Sequence, residues 1–261
     1  MIQFHRLETI HKAYGSINST FEGSMSSNLG GNSRYAKGTI SQGNWFVELL
    51  CHHNLPWHCI LSLITTQFME NPGRTHREAV KWVFHYLLGT KDWKLVYRTT
   101  DNRLKGFMDA DRLLQEHCHA ISGYVFLING EAILWSSKKQ TLVTLSTAKL
   151  EYVAATYAAK KALWLQWLIG KIFHPIEKPI TLYSDSQSAI ALTKDSLYHA
   201  QTKHIDIRYH FICFEVQRGS INLIYCPTED MTADILTKAL PNMKAKHLVK
   251  MLGLCPTWGG V

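Results

Sequence analysis

Residues 122–137 read SGYVFLINGEAILWSS. Val125, Phe126, Leu127 and Ile128 belong to an apolar, strand-favouring run over Ser122–Ile128, and Asn129-Gly130 is the dipeptide preferred in a two-residue hairpin turn. Glu131–Ser137 then returns as the second arm. One step upstream, Arg103–Asp109 (RLKGFMD) is also strand-like, so the pattern predicts three antiparallel strands in succession. Downstream the period changes from two to that of a helix. A helix is expected from Ser146-Thr147 to about Ile169, with Leu150, Val153, Ala154, Tyr157, Ala158, Leu165 and Leu168 on its buried side. Then come a strand at Ile180–Asp185, a short helix at Ser188–Lys194, and a helix at Ile205–Gln217 closed by Arg218-Gly219. A strand at Ser220–Cys226 and a last helix at Glu229–Lys238 complete the series. Antiparallel strands followed by strands reached through helices predict an α/β fold: a mixed five-stranded sheet flanked by helices.

The flanks differ from this core. Residues 13–44 are rich in Ser, Gly and Asn without periodicity, so 1–44 reads as a flexible leader. A small, mostly helical segment follows over 45–100. Within it, a helix from Thr75 to Leu88 after Pro72-Gly73 precedes a short strand at Lys94–Arg98. Residues 101–240 hold the α/β unit, and 241–261 a C-terminal helix and tail.

Composition narrows the function. The chain has 261 residues, 46% of them hydrophobic, which is enough for a full core. Its net charge of +8 favours a polyanionic partner, although ordinary basicity is the plainer explanation. None of the six cysteines forms a C-x-x-C pair, which argues against a zinc site and fits a reducing compartment. The longest apolar region, Ala154–Phe173, is broken by Lys160, Lys161 and Lys171 and is not expected to span a membrane. The N-terminus lacks the apolar centre of a signal peptide, so an intracellular location, cytoplasm or nucleus, is expected.

Four carboxylates stand out. Asp109 and Asp185 each close a strand, and on parallel neighbouring strands they would lie side by side, where functional groups of α/β sheets gather. Taken alone, Asp109 reads as a strand-end turn residue and Asp185 as an N-cap. Glu151 sits at the edge of an apolar helix face, where an unpaired carboxylate is costly; the plainer reading is a surface Glu paired with a lysine. Asp234, in Ala233-Asp234-Ile235-Leu236, reads alone as a solvated helical residue. Together the four match the needs of phosphodiester hydrolysis. Two Mg²⁺ ions about 3.5–4 Å apart provide a nucleophilic water and stabilise the leaving oxygen, and Mg²⁺ takes hard oxygen ligands.

At these residues a family resemblance emerges. GFMDAD (106–111), SGYVFLINGEAILWSSKKQ (122–140), LEYVAATYAAKKALWLQWL (150–168), TLYSDSQSAIALTK (181–194), TKHIDIRYHFI (202–212) and CPTEDMTADILTKALP (226–241) resemble the ribonuclease H domain of copia-type retrotransposon Pol polyproteins. Residues 68–98 look like the end of the preceding reverse transcriptase, which makes 45–100 a thumb or connection remnant. The resemblance implies a ribonuclease-H-like fold over 101–240. It also implies metal binding and catalysis by Asp109, Glu151, Asp185 and Asp234, two Mg²⁺ ions (with Mn²⁺ as an alternative), and cleavage of RNA in an RNA–DNA hybrid. Asp111, the second Asp of DAD, is expected to be structural rather than a ligand.

The sequence also departs from the family. DADRLLQEHCHAISGY replaces the usual continuation DADWAG, and Lys149 stands where the family has a Glu in STEAEY. The polymerase's paired aspartates are absent, so no polymerase activity is expected. The alternative reading is therefore a catalytically inactive nucleic-acid-binding remnant, depending on whether the loop after Asp111 leaves Asp109 correctly aimed. His117 and His119 around Cys118 lack partners at ligand spacing. For the hybrid's phosphates the candidates are Lys138, Lys139, Lys203 and Arg208, with Lys160 and Lys161 as further basic positions. Ser137, Thr147 and Gln187 are polar candidates for reading the RNA strand.

Overall fold

The computed structural model describes residues 89–90, 92–97, 103–112, 120–141, 146–173, 179–194, 211–238 and 240–256. The central sheet is built from β2 (Lys105–Arg112), β3 (Ala120–Ile128), β4 (Glu131–Lys139), β5 (Ile180–Ser184) and β6 (Ile221–Tyr225). Its order is β4-β3-β2-β5-β6: an antiparallel meander on one side, joined through β2 to two parallel strands on the other. Asn129 and Gly130 both adopt positive φ, 62° and 88°, as a two-residue turn twisted to match its strands requires.

Alternation along the strands divides the core into two halves. On one face Met108, Phe126, Leu182 and Leu223 pack against α1 (Thr147–Ile172), α2 (Gln187–Lys194) and α3 (Phe211–Gln217). Small residues, Ala155, Ala158, Ala159 and Ala162, let α1 lie close to the sheet. On the other face Phe107, Val125 and Leu127 meet a 3₁₀ turn, Thr232–Leu236, and α4 (Asn242–Met251). A separate two-stranded ribbon pairs β1 (Trp93–Leu95) with β7 (Leu254–Pro256). Tyr97 ties it to β4 by donating to the Ala132 carbonyl at 2.9 Å. This is the ribonuclease-H-like mixed sheet that the sequence predicted.

Three details correct the sequence reading. The last helix expected over Glu229–Lys238 contracts to a 3₁₀ turn, held by bonds three residues apart, Asp234 N–H to the Met231 carbonyl and Thr237 N–H to the Asp234 carbonyl, each 3.1 Å, while the Leu236 carbonyl accepts from Ser137 Oγ at 2.6 Å. Tyr157, expected on the buried side of α1, is 37% exposed. The α1 helix also runs three residues further than expected, to Ile172. The helix expected over Thr75–Leu88, the residues of the Asp111–Ala120 connection, and the beginning of the helix expected from Ile205 lie outside the described residues. Among the described residues no helix is long and apolar enough to cross a membrane.

Candidate metal centre

The β2–β5 pairing is parallel, and its register ends at Phe107↔Tyr183. Two residues further along each strand stand Asp109 and Asp185, so the terminal aspartates fall side by side at the point where the strands separate. Glu151 joins them from the first turns of α1. Carboxylate oxygens of Asp109, Glu151 and Asp185 all lie within 4.8 Å of one another.

Each plainer reading of these residues fails on its surroundings. Asp109 lies within β2 with no exposed surface. Asp185 does not cap α2; Ser186 does, its Oγ accepting the Ala189 N–H at 3.2 Å. That leaves the Asp185 carboxylate free for the cluster, where its Oδ2 accepts from Thr228 Oγ1 at 3.1 Å. Glu151 is buried rather than paired on the surface, and its Oε2 has no hydrogen-bond partner among the described residues. A buried carboxylate that keeps an unpartnered oxygen beside two further carboxylates is costly unless a cation binds there. Burial, then the charges of Asp109 and Asp185, push the Glu151 pKa well above the ordinary carboxyl range. Burial also raises Asp109, with Lys238 pulling the other way. Three hard oxygen donors and an orphaned oxygen fit a divalent ion of the Mg²⁺ kind.

Asp234 is placed differently. It is fully buried, not solvated, and its oxygens are taken by two lysines: Lys238 Nζ at 2.7 Å and Lys244 Nζ at 2.6 Å. Lys238 also reaches Asp109 Oδ1 at 3.0 Å, so one ammonium bridges the two aspartates. Burial opposes that charge, but Asp109 and Asp234 outweigh it and hold the Lys238 pKa above the lysine range. The other Asp109 oxygen accepts from the Thr237 hydroxyl. Asp111 is half-buried and outside the three-carboxylate group.

The 3₁₀ turn that delivers Asp234, Thr237 and Lys238 rests on Gly123. Gly123 lies opposite Asp109 in the β2–β3 ladder and opposite Ser137 in the β3–β4 ladder. A Cβ at Gly123 would come within 2.7 Å of Thr237 Cγ2 and 2.9 Å of Leu236 Cβ. The sequence reading missed Gly123, Thr237, Lys238 and Lys244. Lys238 was the accessible one, since it stands four residues after Asp234, on the same side of a helical turn.

Of the basic candidates, Lys138 and Lys139 are exposed and in register, through Ser122 and Ile121, with Ala110 and Asp111. Two strand spacings put them about 10 Å from the carboxylate row. Lys160 and Lys161 are exposed on α1, with Lys161 Nζ 4.8 Å from the Trp164 ring centroid. Ser137 is committed to the Leu236 carbonyl, while Gln187 and Thr147 are exposed. Lys203, Arg208, His117, Cys118 and His119 lie outside the described residues.

The chain is 42% identical over 193 residues to the "Retrovirus-related Pol polyprotein from transposon TNT 1-94" of Nicotiana tabacum, covering 73% of this chain. It is 30% identical over 201 residues to the corresponding polyprotein from transposon RE2 of Arabidopsis thaliana, covering 75% of this chain. The chain belongs to the copia-type retrotransposon Pol family. It spans 14% of the length of each of these Pol relatives. No family model matches it. Among solved structures, the N-terminal RNase H domain of Rv2228c from Mycobacterium tuberculosis is 14% identical, with 57% of this Pol-family chain and 98% of that one covered at a TM-score of 0.36. The fold assignment rests on strand order and connectivity rather than on that overlap.

Proposed function

We propose that this Pol-family chain is a divalent-metal-dependent ribonuclease H that hydrolyses RNA in RNA–DNA hybrids. Asp109, Glu151 and Asp185 would hold one ion, and Asp109 with Asp234 would face a second. The observation that carries this reading is Glu151, buried with an orphaned oxygen and converging with two aspartates at the sheet fork. Bound Mg²⁺ (or Mn²⁺) would supply a water activated for attack and stabilisation of the leaving 3′-oxygen.

The chain's own residues do the rest. Thr237 and Lys238 fix the Asp109 carboxylate, and Thr228 steadies Asp185. Lys138 and Lys139 offer a cationic edge beside the carboxylates where phosphates of the hybrid would lie, with Lys203 and Arg208 as further contacts. In this reading 101–240 is the nuclease unit, with 1–44 a leader, 45–100 a reverse-transcriptase remnant and 241–261 a C-terminal helix and tail. The substrate would be met inside the cell, in the cytoplasm or nucleus. No polymerase activity is expected.

The test is incubation of the purified chain with an end-labelled RNA–DNA hybrid, with Mg²⁺ and with EDTA. Mg²⁺-dependent shortening of the RNA strand alone is the expected result. Hybrid binding without cleavage would instead establish the inactive nucleic-acid-binding remnant.

A further inference from the structure

Two cations of the chain itself already stand in the acidic centre. Lys238 Nζ lies 3.0 Å from Asp109 Oδ1 and 2.7 Å from Asp234 Oδ1, while Lys244 Nζ lies 2.6 Å from Asp234 Oδ2. Both aspartates are fully buried, and each lysine side chain is only 27% exposed. The lysines reach the site from different elements: Lys238 from just after the 3₁₀ turn and Lys244 from the first turn of α4. Contacts this short, on acids closed off from water, are not the loose pairs of a protein surface.

We propose that Lys238 is the built-in occupant of the second cation position, bridging Asp109 and Asp234 as a divalent ion would, with Lys244 holding Asp234 in place for it. Asp109, Glu151 and Asp185 form the position left open, as the orphaned Glu151 oxygen marks. Charge supports this division. Lys238 and Lys244 lie within 3.0 Å of Asp109 and Asp234, whereas no lysine or arginine among the described residues is paired with Glu151 or Asp185. One ion therefore enters without rearrangement, whereas a second must first displace Lys238 from both aspartates. The site would rest in a one-ion state and be completed only when Lys238 swings away, for example toward an incoming phosphate. The inference rests on the metal-site reading above.

The experiment uses Mn²⁺ alone, counted on the full chain by the loss of the free-ion electron paramagnetic resonance signal. Wild type should bind one ion tightly and a second much more weakly. Lys238→Met should bind two, with the second tightened by about tenfold or more, because a like charge a few ångströms away is gone. Lys238→Arg, which keeps the cation, should remain at one. Lys250→Met, an exposed lysine of α4, removes the same charge away from the acids and should also remain at one. If Lys238→Met folds poorly without metal, its melting temperature should rise more steeply with Mn²⁺ than that of wild type. Two equally tight ions in wild type, or a single ion in Lys238→Met, would overturn the assignment of Lys238. Absence of any tight ion in every variant would overturn the metal site itself, which is a separate result.

Discussion

Gly123 stands directly opposite Asp109 in the β2–β3 ladder, and the space where its side chain would be is filled by Thr237 and Leu236. The 3₁₀ turn can therefore sit on the sheet at the carboxylate row. Gly123→Ala would place a methyl 2.7 Å from Thr237 Cγ2 and force the turn outward. Overpacking of this kind costs about 1–3 kcal/mol. A lower urea midpoint is expected, together with loss of hybrid cleavage larger than the stability change explains, because Asp234, Thr237 and Lys238 move together.

Asp185 and Ser186 separate chemistry from capping. Ser186 supplies the cap of α2, so Ser186→Ala should lower stability by about 1 kcal/mol. Asp185→Asn keeps the side chain's shape and removes its charge. It should leave the melting temperature in EDTA unchanged or higher, while abolishing cleavage. Circular dichroism melts beside the hybrid assay check both, and wild-type cleavage by Asp185→Asn would remove Asp185 from the metal site.

Glu151 makes the metal-free protein sensitive to pH. Burial and the neighbouring aspartates raise its pKa, so the folded chain retains a proton that the unfolded chain has released. Stability in EDTA should be full below the ordinary carboxyl range and fall as pH rises through and above it. Glu151→Gln should flatten that decline. Saturating Mg²⁺ should reverse it in wild type, since an ion bound only to the folded state stabilises it, and should do little for Glu151→Gln. Urea midpoints at mildly acidic and mildly alkaline pH, with and without Mg²⁺, distinguish these outcomes.

The sheet was legible because its signals are local. Asn129-Gly130 announces the hairpin, and both aspartates close the strands that the sequence predicts, so the parallel β2–β5 pair in its Phe107↔Tyr183 register aligns Asp109 with Asp185. Glu151 was legible as an acid on an apolar face. The environment of Asp234 was not, because it depends on three separate parts of the chain. Gly123 admits the turn, Ser137 ends it, and Lys244 arrives from a helix that starts after Pro241. Tyr157 shows the limit of periodicity: in a helix whose buried side is lined with alanines, a large side chain at the margin projects to solvent.

Lys138 and Lys139 test the proposed phosphate contacts. Replacing both with Ala should weaken hybrid binding regardless of sequence and reduce the slope of log affinity against log salt by about 2. Fluorescence anisotropy across a salt series measures this, and an unchanged slope would assign these lysines to solvent alone.

The β1–β7 ribbon has a mechanical consequence. Trp93 pairs with Pro256 and Leu95 with Leu254, so the strand leading into the domain and the strand leading out run alongside each other as a single stalk. Tension applied to the flanking polypeptide would peel open these three residue pairs one after another, like a zipper, before any load reached the five-stranded sheet. The five-stranded sheet is thereby shielded from pulling on its neighbours, with the Tyr97 hydroxyl on the Ala132 carbonyl and the Ala132 N–H on the Leu252 carbonyl as the ties behind the ribbon.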